Sequence, residues 1–440
     1  MTNPDPETHD ATIPGPAGHH ELPDPSESAG RLVQPDPGPA ERAGQPGGQR
    51  CRVRVGSADG LLAIVPFLLG FHPSDSLVVL GIGGPHARVR LAFRYDLPDP
   101  PEDELASDIA AHAASVLDRQ DLTTAVAIGY GEGRLVTPVV DSLLPVLREA
   151  GIKVHDALRV QDGRYWSYVC RDPRCCPPDG VPFDPSEHPA AVALAAAGLS
   201  ARRDRAELAS LLEPAADTTD AMDQALLRAQ DRVASLVSGE LSRGGGDPLQ
   251  PVADAARRSV RLIVAGCRRG ERLSDDDVAW LGLTLTDLRV RDDAWARMDP
   301  EFNQAHQRMW TDLVRRLPAD LTPAPAALLA FTAWQAGDGA LASVAIERAL
   351  GVDPGYSMAL LIADALYAGL PPSAARLPMT PKQVAASYAR RRTPGKDEGS
   401  GPAAGSRRTR ATAARKKRQR RQARAARRVT RSQAPGAAAK

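Results

Sequence analysis

Three cysteines stand close together in the sequence. Cys170, Cys175 and Cys176 share a short run with two arginines and three prolines. Thiolates are zinc ligands, with Asp172 or His188 as a further donor, and neighbouring arginines favour a reactive thiolate. The run therefore allows a metal site, a redox-responsive site or plain packing of loop cysteines. Because the spacing of a four-ligand zinc site is missing, we predict that the chain holds no metal and no cofactor.

A second polar group precedes the first long predicted strand. His72 and Asp75 lie there, while Trp166 and Cys170 lie near the ends of later predicted strands. Ligands of α/β sheets often bind at strand ends, so these four residues define a candidate cleft for an enzyme or for a small-molecule or redox sensor. His72, Ser74 and Asp75 are too close in sequence to form a catalytic triad, whose members converge from distant segments. The alternative is that Asp75 or Ser76 only caps the turn before the strand.

Motifs of the common enzyme classes are missing from the sequence. None of the six lysines is followed by serine or threonine, so a Walker-type phosphate loop is absent. G-x-S-x-G, H-E-x-x-H and C-x-x-C are absent too, which disfavours α/β-hydrolases, zincins and zinc ribbons. The glycine-rich run 129–133 departs from the G-x-G-x-x-G spacing, and Glu132 within it would repel a phosphate. We therefore favour a protein that is not an enzyme and assign no catalytic residue.

The charge of the chain is divided unevenly along its length. The formal net charge is +1, yet residues 390–440 hold 14 Arg and 4 Lys against two acidic residues, and the preceding residues carry a net −15. A basic segment releases counterions when it neutralises phosphates, so we predict that this one binds nucleic acid or another polyanion. It has no aromatic residue for base stacking, which predicts binding without sequence preference. The alternatives are contact with the acidic body, contact with anionic lipid, or a solvated extension.

The densest part of this segment mixes basic residues with alanine and glutamine. The predicted polyanion-binding side chains are Arg407, Arg408, Arg410, Arg415, Lys416, Lys417, Arg418, Arg420, Arg421, Arg424, Arg427 and Arg428. Like charges four residues apart oppose an isolated helix, and a bound polyanion would remove that repulsion. We therefore expect residues 390–440 to form a disordered or conditionally helical tail.

The elements that would position the candidate cleft follow an α/β pattern over residues 51–213. A helix and a β-hairpin, followed by alternating helices and strands, predict a mixed sheet with flanking helices. The predicted helices are 58–69, 102–119, 135–150 and a helical stretch from 188 to 212, and the predicted strands are 76–82, 88–94, 125–130, 153–160 and 164–169.

Residues 214–389 show no strand pattern and predict an all-α domain. Its helices are predicted at 220–241, 249–268, 274–297, 301–316, 324–336, 340–350 and 356–368. Small residues and Asp353-Pro354 near its end are spaced much as in a tetratricopeptide helix pair, which suggests a groove for a protein partner. An ordinary helical hairpin is the alternative, because stable tetratricopeptide arrays need about three units or more.

The remaining features concern order and compartment. Residues 1–50 hold ten prolines and seven glycines, a composition that predicts disorder. The apolar run 61–69 is too short to span a bilayer, and the start of the chain does not read as a signal peptide. Five cysteines do not indicate a disulfide framework. We therefore predict a cytoplasmic protein without a transmembrane segment.

Several unusual runs, in order along the chain, resemble one protein family. The run from Ala58 to Leu80 resembles the opening signature of an actinobacterial family, domain of unknown function 4192. Later landmarks of that family resemble Arg94–Pro98, Tyr165–Cys170, Cys175–Gly180, Trp334–Ala340 and Asp353–Tyr356. The resemblance covers about residues 52–372. Because the family has no established activity, the resemblance implies membership and no catalytic residue.

Overall fold

The computed structural model describes residues 57–84, 88–215, 219–244, 246–374 and 379–392. Within these ranges the chain forms an α/β part followed by a helical part, as the sequence predicts. The predictions of disorder for residues 1–50 and of polyanion binding from residue 393 to 440 lie outside the described residues.

A mixed six-stranded sheet is the centre of the α/β part. Its strands are β1 (Ser76–Gly83), β2 (Arg88–Asp96), β3 (Thr124–Tyr130), β4 (Lys153–Gln161), β5 (Arg164–Ser167) and β6 (Val181–Pro182), in the order β2-β1-β3-β4-β5-β6. β3 and β4 are parallel, and the other neighbouring strands are antiparallel. The predicted hairpin and the three later strands are confirmed. β6 is missed because two residues carry no alternation pattern.

Five helices belong to the same part of the chain. They are α1 (Ala58–Leu69), α2 (Asp103–Arg119), α3 (Gly133–Glu149), α4 (Pro189–Ala196) and α5 (Arg205–Ser210). α1 ends at Gly70, whose φ of 77° is a left-handed conformation that glycine adopts without strain. The prediction of one helical stretch from 188 to 212 is wrong. The stretch is divided because Gly198 has a left-handed φ of 81° and the Asp204 side chain caps a new helix.

The helical part contains nine α-helices in its described residues. They are α6 (Thr219–Ser242), α7 (Gln250–Arg268), α8 (Asp275–Thr284), α9 (Leu288–Trp295), α10 (Asn303–Arg316), α11 (Pro323–Ala336), α12 (Gly339–Val352), α13 (Ser357–Tyr367) and α14 (Pro381–Arg392). The prediction of a single helix over 274–297 is wrong, because the Asp287 side chain accepts a hydrogen bond from the Arg289 amide and begins α9. No helix in the described ranges has both the length and the apolar character needed to cross a membrane.

The two faces of the sheet are buried in separate apolar cores, because successive residues of a strand point to opposite faces. The α2/α3 core contains Leu77, Val79, Ala125, Ala127 and Ala157 of the sheet together with α2 and α3. The α1 core contains Val78, Leu80, Val126, Ile128 and Leu158 together with α1, and it continues through the helical part as far as Ile362. The α1 core thus crosses the predicted boundary between the 51–213 and 214–389 domains, and that boundary stays a prediction.

Candidate functional site

The four residues of the predicted cleft lie in two places. His72 and Asp75 precede β1, and both are exposed. Trp166 lies in β5 with Cys170 shortly after it, and β3 and β4 stand between β1 and β5 in the sheet. Because neighbouring strands are about 4.8 Å apart, three steps across the sheet separate the two places by about 14 Å. The four residues therefore form two groups, His72 with Asp75 and Trp166 with Cys170.

Asp75 shapes the entrance to β1 through its backbone. Its φ is 40°, a left-handed conformation that asparagine and aspartate tolerate better than most residues. Its carbonyl oxygen accepts a hydrogen bond of 2.8 Å from the Leu97 amide. The His72 amide donates to the Arg202 carbonyl at 2.9 Å, so both ends of this turn are held by the backbone. These contacts support the interpretation of Asp75 as a turn residue.

A group that the sequence does not reveal lies at the same end of the sheet. Ser76 pairs with Tyr130 across β1 and β3, and Arg94 on β2 lies opposite Val78. The Ser76 Oγ, the Tyr130 hydroxyl and the Arg94 Nε are buried without a hydrogen-bond partner among the described residues. Burial raises the pKa of Tyr130 above its ordinary value, so the hydroxyl stays protonated. Sequence reasoning misses this group because only the strand register joins its members.

The Arg94 side chain keeps other contacts within this group. Its guanidinium forms an ion pair with Asp96 at 2.5 Å, and its Cζ lies 5.4 Å from the centroid of the Phe71 ring. The Arg94 guanidinium is therefore held by Asp96 and Phe71, while its Nε has no partner among the described residues. Buried polar atoms of this kind are commonly satisfied by an ordered water.

Trp166 joins β5 to the loop that follows it. The Arg159 Cζ lies 3.9 Å from the centroid of the indole ring, and the indole Nε1 donates to the Pro178 carbonyl at 2.9 Å. Gly180 lies against the same ring, where an added Cβ would come within 2.5 Å of a ring carbon. These contacts make Trp166 the packing centre of the loop that carries the cysteines.

The three cysteine sulfurs of this loop converge. The Sγ atoms of Cys170, Cys175 and Cys176 all lie within 4.8 Å of one another, and those of Cys175 and Cys176 are 3.8 Å apart. The amides of Cys175 and Cys176 both donate to the Asp172 carbonyl, at 3.1 and 2.8 Å. This turn brings the two adjacent side chains together. Cys175 is exposed, and the other two cysteines are half-buried.

Two of the three thiols, those of Cys170 and Cys176, have pKa values shifted in opposite directions. A hydrogen bond from the Asp172 backbone amide, followed by one from Cys176, lowers the pKa of Cys170. Loss of solvent around its sulfur, followed by hydrogen bonds to the other two cysteines, raises the pKa of Cys176 to about 12. Negative charge is therefore more stable on Cys170 than on Cys176. The first cause of the lowered Cys170 pKa is the Asp172 backbone, and the Arg174 side chain pairs with the Asp172 carboxylate at 3.0 Å.

The other proposed metal donors are engaged elsewhere. The Asp172 carboxylate accepts hydrogen bonds from the Arg174 side chain and amide. The His188 Nδ1 accepts from the Ala190 amide at 3.1 Å, and its Nε2 lies 3.8 Å from the Asp59 carboxylate. In the described residues the thiol cluster therefore consists of three sulfurs, one of them on an exposed side chain.

Comparison with known proteins identifies a family and no nearer relative. No curated protein matches the chain, and no solved structure matches it. The family model described as "Domain of unknown function (DUF4192)" matches residues 59–373, which include the Ser76–Tyr130 group and the thiol cluster. Because this match covers more than half of the sequence, the protein belongs to that family.

Proposed function

We propose that this protein is a non-enzymatic, cytoplasmic binding protein. Its folded body would contact a protein or small ligand, and its basic segment would hold nucleic acid or another polyanion without sequence preference. The observation that carries the proposal is the division of charge, with 18 basic and two acidic residues in 390–440 and a net −15 in the residues before them. A polycation tethered to an acidic body raises the local concentration of that body on a polyanion.

The arginines of the folded body support this division of roles. Arg289 lies between Asp287 and Asp247, and Arg316 lies between two further aspartates. Cations that already contact carboxylates are poor phosphate ligands, because their charge is neutralised locally. The segment 390–440 has two carboxylates for 18 cations, so its charge is available to a phosphate backbone.

α14 connects the body to the basic segment. Val384 of this helix is buried, and the Tyr388 hydroxyl donates to the Asp292 carboxylate at 2.6 Å. The helix extends to Arg392, beyond the predicted start of the tail at residue 390. A truncation that tests the tail should therefore remove residues 393–440 and leave α14 intact.

The test compares the full chain with three variants. One lacks residues 393–440, one replaces the predicted polyanion-binding arginines and lysines with glutamine, and one scrambles residues 407–428 without changing their composition. The measurement is the anisotropy of labelled random-sequence RNA and DNA at several salt concentrations. Contact with ~8 phosphates predicts a log–log salt slope of about −7 for duplex DNA. The scrambled chain should bind as the wild type does, and the other two variants should not.

The outcomes separate the alternatives for the tail. A glutamine variant that binds as tightly as the wild type would disprove the proposal. A synthetic peptide of residues 393–440 that binds much more tightly than the whole protein would show that the acidic body competes for the tail. Binding to anionic vesicles in preference to nucleic acid would identify lipid as the polyanion.

The proposed protein contact lies at α11–α13. α11 ends at Gly337 with a left-handed φ of 84°, and the Asp338 side chain caps α12, which favours a tetratricopeptide-like helix pair. Leu361 on α13 is 57% exposed. A photo-crosslinking residue at position 361 should therefore capture a protein, and the same residue at Leu262 on α7, 65% exposed, should not. Equal capture at both positions would contradict a specific groove.

The alternative function, an enzyme or sensor with one cleft, has less support. It requires His72, Asp75, Trp166 and Cys170 to share a pocket, whereas β3 and β4 lie between the strand that follows Asp75 and the strand that contains Trp166. The binding protein is therefore the better-supported proposal.

A further inference from the structure

We propose that Cys170, Cys175 and Cys176 form a zinc site in which three thiolates bind one Zn²⁺ and water occupies the fourth position. This inference departs from the prediction of no metal that the sequence spacing gives. It is independent of the basic tail, and it concerns residues that the family match includes.

The distances between the sulfurs fit a tetrahedral ion. A Zn–S bond of about 2.3 Å in tetrahedral geometry requires neighbouring sulfurs to be about 3.8 Å apart. The Cys175 and Cys176 sulfurs are 3.8 Å apart, and all three lie within 4.8 Å of one another. Small side-chain rotations therefore suffice to close the trigonal face around an ion.

A turn allows the two adjacent cysteines to face the same ion. In an extended strand, neighbouring side chains point to opposite faces. Here the amides of Cys175 and Cys176 both donate to the carbonyl of Asp172, so the chain curls and presents both sulfurs to Cys170. The spacing that looks unfavourable in the sequence becomes suitable once this turn is formed.

Hydrogen bonds hold the backbone at Cys170, the first of the three proposed ligands. The Cys170 amide donates to the Ser167 Oγ at 3.0 Å, and Ser167 in turn donates to Asp156 at 2.8 Å. The sulfur is thus positioned by a chain of contacts that begins on β4.

The charges near the cluster are compatible with a cation. Arg171 and Arg174 belong to the same loop, and the pairing of Arg174 with Asp172 at 3.0 Å offsets the repulsion between Arg174 and an ion. A dication would relieve the crowding of negative charge that three ionised thiols would otherwise create.

A bound ion would stabilise the loop between β5 and β6. β6 has two residues, and the loop before it is held mainly by the Trp166 and Arg164 side chains, which donate to its carbonyls. Zinc that binds the folded loop more tightly than the unfolded chain would add the difference in binding free energy to the stability of this edge of the sheet.

The test uses the full reduced chain, stripped with a chelator and titrated with Co²⁺ as a coloured substitute for Zn²⁺. We expect one Co²⁺ per chain, with the absorption of tetrahedral thiolate coordination, and displacement by Zn²⁺. Cys175→Ser changes an exposed side chain and should weaken Co²⁺ binding by at least about tenfold, the smallest loss expected when even a second-shell partner is removed. Cys267→Ala, a buried cysteine of α7 outside the cluster, should leave the affinity unchanged.

The results that would overturn the site are equally definite. They are a wild-type chain that takes up no Co²⁺, or a Cys175→Ser chain that binds it as tightly as the wild type. A disulfide among the three cysteines in protein isolated from cells, found by counting free thiols after denaturation, would replace the metal site with a redox pair. Circular dichroism of each variant separates loss of a ligand from loss of the fold.

Discussion

The two apolar cores of this molecule differ in how their polar groups are satisfied. In the α2/α3 core the Tyr168 hydroxyl and the Thr137 Oγ1 form a hydrogen bond of 2.8 Å. Among the described residues, the buried side-chain atoms without a partner belong to the α1 core or to the helical part that continues it, as in Tyr130 and His306. The first core is a closed structural layer. The second contains buried polar atoms without a partner among the described residues, and such atoms are commonly satisfied by an ordered water.

The same contrast applies to the two polar groups without an assigned role, the Ser76–Tyr130 group and the thiol cluster. Ser76 and Tyr130 share the face of the sheet that bears the α1 core, and Tyr165, next to the thiol cluster, packs against the same core. The α2/α3 face shows close apolar packing instead. We therefore expect substitutions in the α2/α3 core to act on stability alone.

The largest predicted effect concerns the closeness of that packing. An alanine Cβ at Gly129 on β3 would lie 2.1 Å from the Val136 Cγ1 on α3, so the helix or the strand must move. Gly129→Ala should therefore lower the free energy of unfolding by about 3 kcal/mol, as measured by urea denaturation. Gly351→Ala on α12 is the control, because its Cβ would meet nothing within 4 Å, and it should be neutral or stabilising.

A second substitution tests the cause of this loss. Val136→Ala removes the methyl groups that the new Cβ would strike, so the double variant should be more stable than the sum of the single effects predicts. Additive effects would show that Gly129 is needed for another reason, and that the α2/α3 core is less closely packed than the distances indicate.

The next effect concerns an unpaired group in the helical continuation of the α1 core. His306 is fully buried; its Nε2 accepts from the Asp299 amide at 3.3 Å, and its Nδ1 has no partner among the described residues. Burial first, and the charge of Arg268 second, lower the pKa of His306 to about 4, against an opposing effect of Asp299. The folded protein therefore keeps His306 neutral between pH 6.5 and about pH 4, a range in which the unfolded chain binds a proton at this residue.

The pKa of His306 is lower in the folded protein than in the unfolded chain. The contribution of neutral His306 to the free energy of unfolding is therefore fully present above pH 6.5 and is lost as the pH falls toward 4. We expect a loss of about 2 kcal/mol between pH 8 and pH 5 from this residue. Urea unfolding of His306→Gln should lack that part of the pH dependence, and His72→Gln, at an exposed position, should retain it. Identical pH profiles for wild type and His306→Gln would refute the prediction.

Much of the fold could be predicted from local signals in the sequence. α1 begins and ends at the predicted residues, and the hairpin of β1 and β2 forms where two β-rich runs flank a glycine-proline turn. α14 is missed although Thr380 and Gln383 hydrogen-bond reciprocally at its start. A threonine followed three residues later by glutamine is the capping-box pattern, so the signal was present in the sequence.

The candidate site could be predicted only in part, because its geometry depends on the order of the strands. The sequence identifies Cys170, Cys175 and Cys176 as a group, but their spacing argues against a metal until the turn at Asp172 is known. The sequence also suggests one cleft for Asp75 and Trp166, whereas β3 and β4 lie between their positions in the sheet. It does not reveal the pairing of Ser76 with Tyr130, since register is fixed by the whole sheet and not by the residues themselves.

The smallest predicted effect compares two tyrosines, one on each face of the sheet. Tyr168→Phe removes a hydroxyl that is bonded to Thr137 and should cost about 1 kcal/mol of stability. Tyr130→Phe removes a buried hydroxyl without a partner among the described residues, so it should cost nothing and should stabilise the chain by up to about 1 kcal/mol. Urea denaturation of both variants measures the difference. If Tyr130→Phe loses as much as Tyr168→Phe, a water or ligand must hold that hydroxyl, and the α1 core is then as fully satisfied as its counterpart across the sheet.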